Sequence, residues 1–196
     1  MKKRTKAIIK NIIFYVVVTV MLFFIIINVV APEDSIKYTG FKVFTIVSGS
    51  MEPDIMINDV VIDVKVKQED LQVGDIITFY TYLLANNGTY IKSEVTHYIV
   101  GIEDVDGETV YRTHGATEDD IPYDNWKDIN GNPTNITYDD IIGRVKFVIP
   151  NVGVVIVFMQ NIFRNPIMVL LIVVNIAIIV TVVKVTKKAL SDGKKE

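Results

Sequence analysis

The sequence has no cysteine and only two histidines among 196 residues. The first absence excludes disulfides, thiolate nucleophiles and Cys-ligated zinc. The second argues against a His-rich metal centre, so no metal and no cofactor are expected. Charged residues are scarce wherever the chain is most apolar. Half of all residues are hydrophobic, and they gather in two blocks near the ends with a polar middle between them. That distribution is a membrane protein's. The middle is short of basic residues: positions 32–163 carry 9 Lys and Arg against 21 Asp and Glu, about -12. Such a surface cannot neutralise a phosphate backbone, so nucleic acid is not an expected partner.

Lys2, Lys3, Arg4, Lys6 and Lys10 precede the first block, and Lys184, Lys187 and Lys188 follow the second. Under the positive-inside rule both termini are cytoplasmic and the acidic middle lies outside. The expected division is a basic tail at 1–11, a transmembrane helix at 12–31 and an extracytoplasmic domain at 32–163. A second transmembrane helix at 167–183 and a basic tail at 184–196 follow. Ile12 to Ala31 holds 20 residues, interrupted only by Tyr15, Thr19 and Asn28, enough to cross about 30 Å of hydrocarbon. Its length and the immediate Pro32 favour a retained anchor over a cleaved leader. Ile167 to Val183 is 17 residues long, at the short end of the spanning range. The lipid bilayer is thus one expected partner. The apolar segment from Val152 to Phe163 is too short to span and reads as a buried strand or a hairpin lying on the bilayer.

Between the anchors, runs rich in Val, Ile, Thr and Tyr predict strands at Val43–Val47, Val60–Val64, Asp75–Tyr80, Tyr90–Ile102, Thr109–His114 and Ile141–Ile149. Asn86–Asn87–Gly88, Asp106–Gly107 and Asn130–Gly131 supply turns between them. The expected fold is mostly β, a β-rich domain flanked by two transmembrane helices.

A serine nucleophile needs a hydroxyl at a sharp strand end, free N–H groups nearby and a base within reach. Ser48–Gly49–Ser50–Met51–Glu52–Pro53 offers the first two. Val43–Val47 leads in, Gly49 permits a tight backbone, and Pro53 stops regular structure. Alone, Ser-Gly-Ser is an ordinary loop tripeptide. Downstream stand Gly74–Asp75–Ile76–Ile77–Thr78–Phe79 and Val95–Thr96–His97–Tyr98–Ile99–Val100–Gly101, then Ile141–Gly143–Arg144–Val145 and Ile149–Pro150–Asn151–Val152–Gly153.

These segments, in this order after an N-terminal anchor, resemble the conserved boxes of type I signal peptidases. The resemblance is to the Ser/His (ER-type) branch, also found in archaea and Gram-positive bacteria, and it covers roughly three-quarters of the chain. It implies a membrane-bound serine endopeptidase that removes signal peptides from secretory preproteins at a cell or ER membrane. Ser50 falls on the family's nucleophile and His97 on its general base, where the bacterial branch has lysine. Ser48 falls on a position whose hydroxyl helps the oxyanion hole in some members. An imidazole, with an ordinary pKa of about 6.5, is largely neutral at physiological pH and can take the serine proton.

The sequence departs from the family at Tyr111–Arg112–Thr113–His114–Gly115, where Thr-Lys-Gly-Asp is usual. His114 occupies the lysine position and is a rival base, while Ala116 stands where an aspartate is customary. Orienting an imidazole takes a carboxylate. Asp120, before Ile121–Pro122, matches the family's later aspartate best if one residue is deleted, with Asp119 and Asp124 as alternatives. The missing aspartate also motivates a second reading: an inactive or specialised homologue that binds or helps assemble a few exported proteins.

Overall fold

A computed structural model of the chain describes residues 2–116 and 122–192. They divide into two compact units, Met1–Asn151 and Val152–Glu196.

The first unit opens with helix α1 (Lys2–Val30). Within it Ile8–Val30 is long and apolar enough to cross a membrane, with a mean hydropathy of 2.9, and its side chains are not covered by the rest of the fold. A one-turn helix, α2 (Ser35–Thr39), follows. It stops at Gly40, whose φ of 79° and N–H bond to Ile36 O form a left-handed C-cap. Seven strands then build one antiparallel sheet: β1 (Phe41–Thr45), β2 (Val60–Val64), β3 (Ile76–Leu84), β4 (Tyr90–Val105), β5 (Glu108–His114), β6 (Ile136–Thr137) and β7 (Ile141–Ile149). Their spatial order is β1-β2-β7-β3-β4-β5-β6. The β-rich architecture follows the Val, Ile and Thr content read from the sequence; β6 and α2 are too short to leave a periodic signal.

Side chains alternate across this sheet and feed two cores. Ile77 and Phe79 of β3, Ile99 of β4 and Tyr111 of β5 pack with Leu71, Ile136 and Trp126 on one face. Ile76 and Tyr98 point the other way, to Ile46, Met51, Ile55 and Val61. The sheet is therefore buried on both sides over its central strands. Its two apolar faces also bring separate segments of chain to one strand, β4.

In the second unit, Gly153–Arg164 forms helix α3 and Pro166–Asp192 forms helix α4. The strand or surface hairpin expected over Val152–Phe163 is thus corrected to a helix. A continuous run of Val, Ile, Phe and Met has no period that separates the two. Pro166 starts α4, where its missing N–H costs nothing, and the apolar stretch of that helix runs Leu170–Thr186. Among the described residues, α1 alone carries a stretch long and apolar enough to count as a membrane span.

Candidate active site

Ser50 stands in the loop joining β1 to β2. The neck of that loop is closed by backbone bonds between Ile46 and the Asn58–Asp59 pair, each 2.9 Å. Asp59 accepts from Met56 N at 2.9 Å and from Asn151 N at 3.0 Å, tying the loop to the end of β7. Met51 and Ile55 anchor the loop interior in the second core, and the Glu52–Pro53 bond is cis. Tyr98 of β4 donates its hydroxyl to Asp54 at 2.7 Å. Ser50 is half-exposed at a turn beside buried Met51, while Ser48 is exposed. Their hydroxyl oxygens are 3.4 Å apart, too far for a strong O–H···O bond.

His97 lies on β4, paired with Ile77 of β3, and is 4% exposed. It faces the first core, where its ring centroid is 5.6 Å from that of Trp126. The ladder between β4 and β5 ends at Tyr98 and His114, so His97 is the first residue beyond it. Into the gap comes the serine loop: Ala116 N–H donates to Ser50 O at 2.8 Å. Gly115 fills the remaining space. A methyl group on it would sit 2.6 Å from Ser50 O and 3.5 Å from His97 Cε1. The serine's own carbonyl and the carbon between the two imidazole nitrogens therefore pack against the same point.

The carboxylate on the imidazole is that of Asp124. Its Oδ2 is 2.8 Å from His97 Nδ1, and the two side chains are 4% and 7% exposed. Asp124 was an alternative to Asp120 on sequence order; Asp119 and Asp120 lie outside the described residues. Two residues given no role by the sequence complete the cluster. Thr113 Oγ1 donates to Asp124 Oδ2 at 2.7 Å, and Trp126 Nε1 donates to Thr113 Oγ1 at 2.7 Å. Thr113 is fully buried, and although it stands beside His114 in the segment set against Thr-Lys-Gly-Asp, nothing there marked it as a partner of the carboxylate. Trp126 is the one tryptophan of the chain, and that rarity is the only signal it gave.

The other basic candidates are occupied. The His114 imidazole donates from Nδ1 to the Gly115 carbonyl. Lys92 pairs with Glu33 at 2.7 Å and lies over the Tyr80 ring. Lys42, whose ammonium is pulled down by burial against the opposing pull of Glu94, Glu33 and Asp63, sits against the rings of Phe44 and Tyr80. Among the described residues no group of three or more His, Cys, Asp or Glu is placed to hold a metal.

Ser50 opens on a groove of about 390 Å³, in the size range of ligand pockets. One wall is Phe44–Ser48 and Ser50–Met51; the other is Lys92–Thr96, with Thr78 and Leu83 between. Among the described residues, both walls carry unpaired strand edges. β1 pairs with β2 on one side only, and β5 pairs with β4 only from Tyr98 onwards. Free backbone N–H and C=O groups along two facing edges can take up an extended peptide. Compared with family models and with curated proteins, the sequence matches none.

Proposed function

We propose that the protein is a membrane-bound serine endopeptidase that removes signal peptides from exported preproteins. The observation that carries this reading is the neighbourhood of Gly115, where Ser50 O and the edge of an imidazole held by a buried carboxylate both lie within 3.5 Å of one point. With Asp124 accepting from Nδ1–H, Nε2 is left as the free acceptor on the ring. In the reaction Nε2 takes the Ser50 proton as Oγ bonds to the peptide carbonyl carbon. The proton then passes to the leaving amine as the C–N bond breaks. A water, deprotonated by the same nitrogen, releases the acyl group and restores the serine. By the resemblance of the sequence boxes, the Ser50 N–H and the Ser48 hydroxyl would donate to the oxyanion.

The class of substrate comes from the resemblance of the sequence boxes. The groove agrees with it, because two open strand edges bind main chain in extended form whatever the side chains. A spanning α1, with α4 as a second anchor, would confine enzyme and membrane-inserted precursor to one surface and raise their effective concentration. Catalysis then takes place on the extracytoplasmic side of the membrane, with both termini cytoplasmic.

The test is cleavage of a preprotein by the full chain in detergent. Ser50→Ala and His97→Ala are expected to lose activity by at least about 10⁴-fold, and Asp124→Asn by about the same factor, since an asparagine favours the wrong tautomer. Cleavage unchanged in the serine and histidine variants would refute the assignment. A folded wild-type chain that binds preproteins without cutting them would favour the specialised-homologue reading that Ala116 first suggested.

A further inference from the structure

We propose that Trp126 and Thr113 are positioning residues which, acting through Asp124, fix the His97 imidazole with its proton on Nδ1. This rests on the protease reading above and extends it beyond the three residues that reading needs.

The direction of each hydrogen bond is forced by chemistry. An indole N–H can only donate, so at 2.7 Å Thr113 Oγ1 is the acceptor. Thr113 has a single hydroxyl proton, and its other polar neighbour is Asp124 Oδ2 at 2.7 Å. The proton therefore points to the carboxylate. Asp124 Oδ2 thus receives two donors, the hydroxyl and His97 Nδ1–H at 2.8 Å. One orientation of bonds runs from indole to imidazole, and in it the basic electron pair of His97 lies on Nε2. Thr113 is 1% exposed and His97 4%, so water does not compete for these bonds and each is stronger than on a surface.

Position matters as much as direction. Asp124 belongs to no helix or strand, so regular structure does not place its carboxylate. Thr113 holds it at two points: its carbonyl accepts from Asp124 N at 2.8 Å while its hydroxyl binds Oδ2. Trp126, two residues on, packs edge-on against Phe79 with ring centroids 5.4 Å apart and lies beside the imidazole itself. Threonine and tryptophan therefore connect an irregular segment to strands β3, β4 and β5. A carboxylate displaced by 1 Å would turn the ring away from the serine, and misplacement on that scale is enough to impair catalysis.

The experiment uses the full chain in detergent with ¹⁵N-labelled histidine. The chain has only two imidazoles, and His114, bonded to its own neighbour's carbonyl, serves as the internal reference. Ring ¹⁵N shifts report which nitrogen of His97 carries the proton, and preprotein cleavage is measured in parallel. Thr113→Val is expected to mix the two His97 tautomers and to lower kcat by about tenfold to a hundredfold, the size of one hydrogen bond to a charged group, with KM little changed. Thr113→Ser restores the hydroxyl and is expected to recover both readouts. Trp126→Phe keeps an aromatic ring against Phe79 while deleting the N–H, and a severalfold loss of kcat is expected. That variant decides the matter if Thr113→Val does not fold. Wild-type tautomer and wild-type kcat in folded Thr113→Val, or in Trp126→Phe, would overturn the proposal. A wild-type chain that cuts no preprotein would instead overturn the protease reading, and the ring spectra would still show whether Thr113 and Trp126 govern the imidazole.

Discussion

At Gly115 a hydrogen atom stands where any other residue would place a carbon 2.6 Å from a backbone oxygen. No rotamer relieves a clash with backbone, so the site needs this glycine for space rather than for a positive φ. Asp63 is a second case in which surroundings decide what a residue does. It is fully buried on β2, and neither carboxylate oxygen has a hydrogen-bond partner. Burial pushes its pKa up to about 6, offset only in part by Lys42, its cross-strand neighbour on β1. Protonated Asp63 thus favours the fold. Its contribution is complete below the ordinary carboxylate pKa of about 4, declines as pH rises towards 6, and is absent above that. The shift corresponds to roughly 2–3 kcal/mol. Thermal unfolding of the full chain in detergent should therefore show stability falling between about pH 4 and 6 from this group, and Asp63→Asn should remove that slope. An unchanged slope would mean that Asp63 is hydrated. At this scale the sequence pointed to Ser50 and His97 only through the order of several boxes, since Ser-Gly-Ser alone is an ordinary loop tripeptide. Thr113 and Trp126 were hidden, because a bond between a strand threonine and a tryptophan 13 positions on depends on how the intervening loop packs. Sequence order favoured Asp120 over Asp119 and Asp124, whereas the carboxylate bonded to His97 is that of Asp124.

β4 spans 16 residues and serves two neighbours in turn, β3 along Tyr90–Tyr98 and β5 from Tyr98 onwards. Its first half therefore keeps a free edge beside the groove, and its midpoint presents His97 to one face and Tyr98 to the other. Tyr98 ties this strand to the serine loop through Asp54. Burial and the acceptor carboxylate both raise the phenol's pKa, so it remains a donor at any physiological pH. Tyr98→Phe removes that tie but keeps the ring's place among Met51, Ile55 and Val61. About 1 kcal/mol of stability should be lost, a typical value for one hydrogen bond, together with a severalfold fall in cleavage rate as the loop loosens against β4. A variant as active as wild type would show that core packing alone fixes the loop. Elements as a class were readable where residue type and period agreed: β2 and β7 have the bounds that their Val and Ile runs predict. β3 extends past its expected end because Tyr82, Leu83 and Leu84 continue the ladder with Lys92, Ile91 and Tyr90, and β4 because Glu103, Asp104 and Val105 pair with Val110, Thr109 and Glu108. α3 was misread because pure hydrophobicity carries no direction, and only its continuation beyond ten residues distinguishes helix from strand.

For the molecule as a whole, the protease proposal requires a particular arrangement about the bilayer: α1 crosses it, the sheet lies outside, and α4 returns the chain to the cytoplasm. The basic residues in the first turns of α1 and at the end of α4 favour that arrangement, because lysine and arginine resist translocation. Asn175 and Thr181, two polar residues within the apolar part of α4, turn their side chains back to the carbonyls of Leu171 and Ala177 at 2.8 Å, which would reduce their cost in lipid. The absence of cysteine makes the topology directly measurable, since any thiol introduced is the only one present. Asn87→Cys places it at the exposed tip of the β3–β4 hairpin, Lys6→Cys before the first apolar block and Lys184→Cys after the second. In intact cells a membrane-impermeant maleimide should label the Asn87 variant alone, and permeabilisation should expose the other two. Labelling of Lys184→Cys from outside would leave α4 on the outer surface and reduce the anchor to α1. Failure to label Asn87→Cys before permeabilisation would put the serine on the cytoplasmic side, where it could not meet the cleavage site of an exported precursor.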